Sequence, residues 1–548
     1  MRNLAILICM LCATLAQAGT YHDLLGLAKE WRAFVPPAIQ DCRPDYSAKA
    51  MAVKAKGLKQ FQARLKALMP AHWPQEQVID YRLIEAEMNG LDFNLRVLRP
   101  WARDPSFYAT LFAEQSDVPA HEGSSAAPVI DLFAYQFPLS AADQARLICE
   151  VGAIPAILQQ AKQTLKDSNT RDLWLYGARA FKEQSQALAQ WEAGSLDMRT
   201  LAGTNRATLE GASDPLRQAV RAARAASDDF AAWINAQAPA KTGPSGIGKA
   251  NYDWYERHVH LLPYDWKTQE TLLKRELDRA WAGLAEEEMR NRALPPLAPK
   301  DDTESFTPFA IGKMNRITDF LIQTGIVPDR PYYRDAMAKQ TSGFVPPAQR
   351  NFFTIGIARD PLGLYSHDYH WIELARLVHE PNQSEIRRLP VLDNMFDTRS
   401  EGLATAMEEL LMHAGLYGDA PRGREIVWIM LANRAARGLA SLYVQANQMD
   451  LKQAGQFHAR YTPRGWSDPN SDLVGFEQLL YLRQPGYGAS YITGKLQFDH
   501  LIERAFHQAD QEGRSFDLAA FFQRFNQAGI MPFSLIEQDM FPNIDPAH

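Results

Sequence analysis

A mostly α fold is predicted by two observations on the 548-residue sequence. Amphipathic segments with apolar residues recurring at helical spacing dominate from Tyr21 onward, as in YSAKAMAVKAKGLKQFQARLKALM and VIDYRLIEAEMNGLDFNLRVL. Strand-type alternation is scarce, and NFFTIGIA from Asn351 is the best candidate strand. A large multi-helix fold with a small amount of β near a candidate site is therefore expected.

The chain opens on Met1-Arg2-Asn3, an apolar run LAILICMLCATLA and the small-residue exit Ala16-Gln17-Ala18, the pattern of a secretory signal peptide over residues 1–18. The run is too short for a membrane span, and no cysteine follows the exit to carry a lipid anchor. The mature chain is expected to begin near Gly19 and to be periplasmic or secreted, with no membrane span after signal removal. Cys9 and Cys12 leave with the signal, whereas Cys42 and Cys149 remain and can pair in an oxidising compartment. A formal charge of -6 and a pI near 6.1 give no electrostatic footprint for nucleic acid. The Gly/Pro-rich stretch from Ala238 to Gly248 marks a seam between an N-terminal helical region, 19–240, and a C-terminal helical region, 241–548.

Candidate chemistry concentrates between Ser366 and Leu411, where three of the thirteen histidines stand beside a carboxylate-bearing helix. His367 to Glu380 reads as one helix, with Trp371, Leu374, Leu377 and Val378 on its apolar side and Pro381 as its stop. At about 100° per residue, His367 and His370 fall on or beside the apolar face. Glu373 and Glu380 share its edge, and His379 points away from His370. The dipeptide His379-Glu380 begins like a zinc-hydrolase H-E-x-x-H, but Gln383 stands where the second histidine belongs and Pro381 interrupts the turn. An exposed helix end is the reading there.

The following helix places Glu401, Thr405 and Glu408 at i, i+4 and i+7 among Ala, Leu and Met. Buried carboxylates must be paired, protonated or on a metal; the plainer reading is a solvated acidic face. Near the C-terminus, a helix starting after Pro485 aligns Tyr487, Tyr491 and Lys495. Tyr491 can donate to a developing oxyanion, and Arg483 can hold a substrate carboxylate in bidentate fashion. Tyr487 lines the same groove or packs the core with its hydroxyl satisfied. His258 and His260, within NYDWYERHVHLLPYDW, read as structural.

The order of RPWARDPSFY, IGKANYDWY with HVHLLPY, SEGLATAMEELLMHAGLYGD and RQPGYGASYITGKL resembles the DUF885 family of secreted bacterial proteins, whose members resemble zinc-dependent, mostly helical peptidases. The resemblance spans nearly all of the mature chain. Glu401-Gly402 matches the Glu-Gly of the family's E-G-W-A, which implies a metal ligand at Glu401. Tyr491 matches the Tyr of the family's P-G-x-x-x-S-Y stretch. The family's H-E-x-x-P-G-H-H is not intact; His370-Trp371, Glu373 and the run Ser384 to Arg388 resemble a branch with a His-His-Trp-like element in its place.

The expectation is a metal-dependent hydrolase acting on a peptide or other amide or ester bond. His370, Glu373 and Glu401, with His367, would hold zinc. Glu408 or Glu380 would act as general base, Tyr491 as oxyanion donor, and Arg483 and Tyr487 would line the substrate groove. Two alternatives stay open at this point: a metal-free acid–base enzyme built on His370 and Glu401, and a non-catalytic binding protein on the same fold.

Overall fold

Helices carry the chain from Tyr21 to Met540, as the periodicity predicts. The computed structural model describes residues 19–119 and 127–542. The expected signal peptide, 1–18, lies outside the described residues. Strands among the described residues are confined to three two-stranded pairings, the longest being the antiparallel hairpin of Leu196–Thr200 with Gly203–Ala207. Local chemistry explains many helix starts. Thr20 and Asp23 form a reciprocal capping box ahead of Tyr21–Phe34, and Ser140, Asp265 and Asp450 each accept a hydrogen bond from a first-turn N–H.

The segment NFFTIGIA is not a strand. Residues Phe352–Ile357 form a short helix, because the Asn351 side chain accepts from the Thr354 N–H while the Thr354 hydroxyl oxygen accepts from the Asn351 N–H. A capping box decides the conformation over the β-branched residues that follow it. The expected single helix from His367 is also divided, into Leu362–His367 and Tyr369–His379 with Asp368 at the joint.

Two hydrophobic cores dominate. The smaller gathers helices Ala141–Thr164, Arg171–Ala193 and Asp214–Gln237 around Trp174, Phe181, Trp191 and Phe230. The larger joins the first helix, through Leu24 and Trp31, and Gln75–Phe93, through Leu83 and Phe93, to helices of the C-terminal region. Arg387 ties these parts together by bonding Asp80 at 2.6 Å and Asp539 at 3.1 Å.

Cys42 and Cys149 are disulfide-bonded across a sequence separation of 107 residues. Closing a loop that long removes much conformational entropy from the unfolded chain. Replacing Cys42 by Ser is expected to lower stability by about 4 kcal/mol, read as an earlier urea midpoint than that of the oxidised parent. A coincident midpoint would show that the bond contributes nothing.

Five helices position the candidate site. They are the paired segments Leu362–His367 and Tyr369–His379, here called the histidine helices; Asp397–His413, the glutamate helix; Gly423–Gln445, the arginine helix; and Tyr487–Gln511, the tyrosine helix. The glutamate and tyrosine helices cross at backbone contact. A Cβ on Gly402 would lie 2.3 Å from the Gly494 Cα, and one on Gly494 would lie 2.1 Å from the Thr398 carbonyl oxygen. This close approach brings Glu401 and Tyr487 within hydrogen-bond reach.

Candidate functional site

Three side chains converge where the histidine helices meet the glutamate helix. His367 Nε2 lies 3.3 Å and His370 Nε2 3.4 Å from the same oxygen, Glu401 Oε2. One ligand atom from each of His367, His370 and Glu401 falls within 4.8 Å of the others, a set that could hold a metal ion. Two imidazoles and one carboxylate form a donor set suited to zinc with a coordination position left over. His370 Nε2 is buried, and its 3.4 Å approach to Glu401 Oε2 lacks good hydrogen-bond geometry, so a cation between them would satisfy both.

A second ring of groups holds these three. The Tyr487 hydroxyl donates to Glu401 Oε1 at 2.6 Å, leaving Oε2 for the histidines. His367 Nδ1 faces Glu408 Oε1 at 3.0 Å, and Arg434 forms an ion pair with Glu408 at 2.5 Å. A carboxylate behind a ligating imidazole fixes its ring orientation and raises its basicity. The Tyr491 ring stacks on His367, centroids 6.2 Å apart, with the Arg437 guanidinium 4.1 Å above it. Arg437 in turn pairs with Glu477.

The electrostatics favour a positive charge at this point. Burial pushes His370 down, but contact with Glu401 and the charges of Asp117, Glu401 and Glu373 outweigh burial and lift it to about 9. Burial pushes Glu401 up, yet His367 and His370 hold it well below the usual carboxylate range. At the joint between the histidine helices, Asp368 is raised to about 6 by burial, with Arg199 opposing and Asp117 adding to the shift. With neutral histidines, Glu401, Glu408 and Glu477 outnumber Arg434 and Arg437, and the surplus is negative.

The stripe Glu401, Thr405, Glu408 is interior, each residue being 4 % exposed or less, so the solvated-face reading is excluded. Other expected residues lie elsewhere. Glu373 does not join the His367, His370, Glu401 set; its carboxylate lies 2.7 Å from Arg399 Nη1 on the glutamate helix. Glu380 is exposed just past the helix end, where it accepts from the Tyr332 and Tyr333 hydroxyls, and His379 stacks on Tyr332. Glu408 sits behind His367 and is engaged by Arg434, the place of an orienting group. Arg483 is bound through Nε to Asp104 at 2.7 Å. His260 belongs to a separate buried cluster, with Nδ1 2.9 Å from Glu256 Oε1.

Sequence reasoning missed Arg434, Arg437 and Asp368. The signal for the arginines was present: two cations three residues apart in IVWIMLANRAARGLA, an otherwise apolar helix, pose the same question as carboxylates in a buried stripe.

No family model matches this chain, and no curated protein does. Among solved structures, the fold is similar to "a putative lipoprotein of unknown function" from Shewanella oneidensis, at 16% identity and a TM-score of 0.65 over 96% of this chain and 100% of that one. It is also similar to "the putative lipoprotein" from Colwellia psychrerythraea, at 13% identity and a TM-score of 0.60 over 95% and 96%. At such identities the likeness extends to the fold alone.

Proposed function

We propose that this chain is a metal-dependent hydrolase of the DUF885 type, acting outside the cytoplasm on an amide or ester bond. The observation that carries the reading is the convergence of His367, His370 and Glu401 on one point, with Tyr487 and Glu408 holding two of them in place. The match of Glu401-Gly402 and Tyr491 to the family's motifs supports it, as does the signal-like N-terminus; the lipoprotein names of the two structural neighbours are compatible with an envelope location.

In this reading zinc, when bound, supplies Lewis acidity and lowers the pKa of a coordinated water toward neutrality. The chain's own residues do the rest. Glu408 keeps His367 Nδ1 engaged so that Nε2 faces Glu401, and Tyr487 fixes the carboxylate rotamer. Asp368, whose carboxyl burial lifts to about 6, stands at the joint between the two histidines, whereas Glu408 is engaged by Arg434 and Glu380 lies at the exposed helix end. Tyr491 lies over His367, where a phenol can steady a developing oxyanion.

One observation favours a metal-free acid–base enzyme instead: His370 and Glu401 already form a buried charged pair. Chelation separates the two. Hydrolysis of peptide and ester libraries by the mature protein is expected to stop with a chelator and return with zinc. Turnover that survives complete metal removal would transfer the chemistry to the His370–Glu401 pair. No turnover by zinc-loaded protein on any amide or ester would leave binding as the remaining role.

A further inference from the structure

A cavity of about 1370 Å³ opens beside the Tyr369–His379 helix, and neither His367, His370 nor Glu401 lines it. Its walls include Arg387 and Arg524, whose charges pair off against Asp80 and Asp539. The cluster formed by Glu373, Arg376 and Arg399 is different. Arg399, 1 % exposed, and Arg376 both face Glu373, the first at 2.7 Å and the second at 3.8 Å. Their other polar contacts are neutral: Asn526 Oδ1 lies 3.0 Å from Arg376 and 3.4 Å from Arg399, and the Tyr369 hydroxyl lies 3.2 Å from Arg376. Two guanidinium groups thus share one carboxylate.

A buried cation without a full counter-charge is costly, and an arriving anion would offset that cost. Arg399 Nε, buried and without a hydrogen-bond partner, is the second sign of an incomplete arrangement. We infer that the cluster of Arg376 and Arg399 is a binding site for the oxyanion of a small organic molecule, a carboxylate or a phosphate, whose remainder occupies the cavity beside Tyr332 and Tyr333. A guanidinium takes such an anion through two parallel N–H bonds of its planar fork. The cavity exceeds what a bare anion needs, and Glu380 at the exposed helix end adds a carboxylate to its lining. This inference does not rest on the metal-site reading.

Calorimetric titration of chelator-treated mature protein at low salt provides the test, with succinate and inorganic phosphate as probes. Binding of either, roughly millimolar or tighter, is expected, and the stronger probe identifies the source of the oxyanion. Arg376→Gln should weaken it at least about tenfold, since it removes one of two charge-assisted partners. Glu373→Gln, which frees the second guanidinium, should tighten it severalfold. This opposite sign is not produced by a merely structural role, and it keeps the test open if the arginine variant fails to fold. Failure of both probes to bind, an affinity unmoved or weakened in Glu373→Gln, or binding confined to zinc-loaded protein would each overturn the inference.

Discussion

Mature protein purified without chelator should carry about one zinc ion per chain, and the Glu401→Gln variant should carry almost none. Glu401 Oε2 is the oxygen on which both histidine Nε2 atoms converge, and a neutral amide at that place removes the charge from the set. The variant keeps the shape of the site, so loss of metal reports loss of the ligand. Tyr487→Phe is expected to fall between the two, losing about 10- to 100-fold in zinc affinity, because it leaves all three ligands but frees the Glu401 rotamer. Zinc at a hundred times its dissociation constant should stabilise the parent by about 2.7 kcal/mol. The same zinc should leave Glu401→Gln unmoved. Elemental analysis with thermal melts reads both effects, and a parent free of every transition metal would sink the metal-site reading.

Gly402→Ala should be among the most damaging single-methyl changes in the molecule. The added Cβ would meet Gly494 Cα at 2.3 Å and the Lys495 nitrogen at 2.8 Å, both backbone atoms of the tyrosine helix that no rotamer change can move. The glutamate and tyrosine helices must then separate, at a cost of about 3 kcal/mol or more. That separation also draws Tyr487 away from Glu401, so zinc affinity should fall with stability. The same substitution at Gly312, on the exposed side of helix Thr303–Gln323 with no atom within 4 Å of the new Cβ, should instead stabilise by about 0.5–1 kcal/mol. Equal effects at the two positions would show that helix propensity, not the crossing, controls the outcome at Gly402.

Much of the arrangement was legible from local pattern. The helix after Pro485 begins at Tyr487, the helix bearing Glu401 and Glu408 forms, and the helix preceding Pro381 ends at His379. His367, His370 and Glu401 could be singled out because ionisable groups on apolar helix faces are unusual. The limits have local causes too. In NFFTIGIA the capping by Asn351 and Thr354 outweighs a β-like run, and Asp368 breaks what periodicity reads as one helix.

The roles of the carboxylates were not legible. Glu373, Glu401 and Glu408 look alike in sequence, since each lies on or beside the buried side of a helix. Their partners separate them: Arg399 for Glu373, Arg434 and His367 for Glu408, and the two histidines with Tyr487 for Glu401.

The helical architecture, the terminal segment resembling a signal and the residues whose burial needs explaining can all be read from the chain alone. These follow from periodicity, composition and capping, which act over a few neighbouring residues. Folding in three dimensions settles which buried charges join a metal-competent set and which meet an arginine, as Glu373 meets Arg399. Charge pairing is settled between helices far apart in the chain, at separations such as the glycine crossing of Gly402 and Gly494, and no local pattern encodes which face meets which.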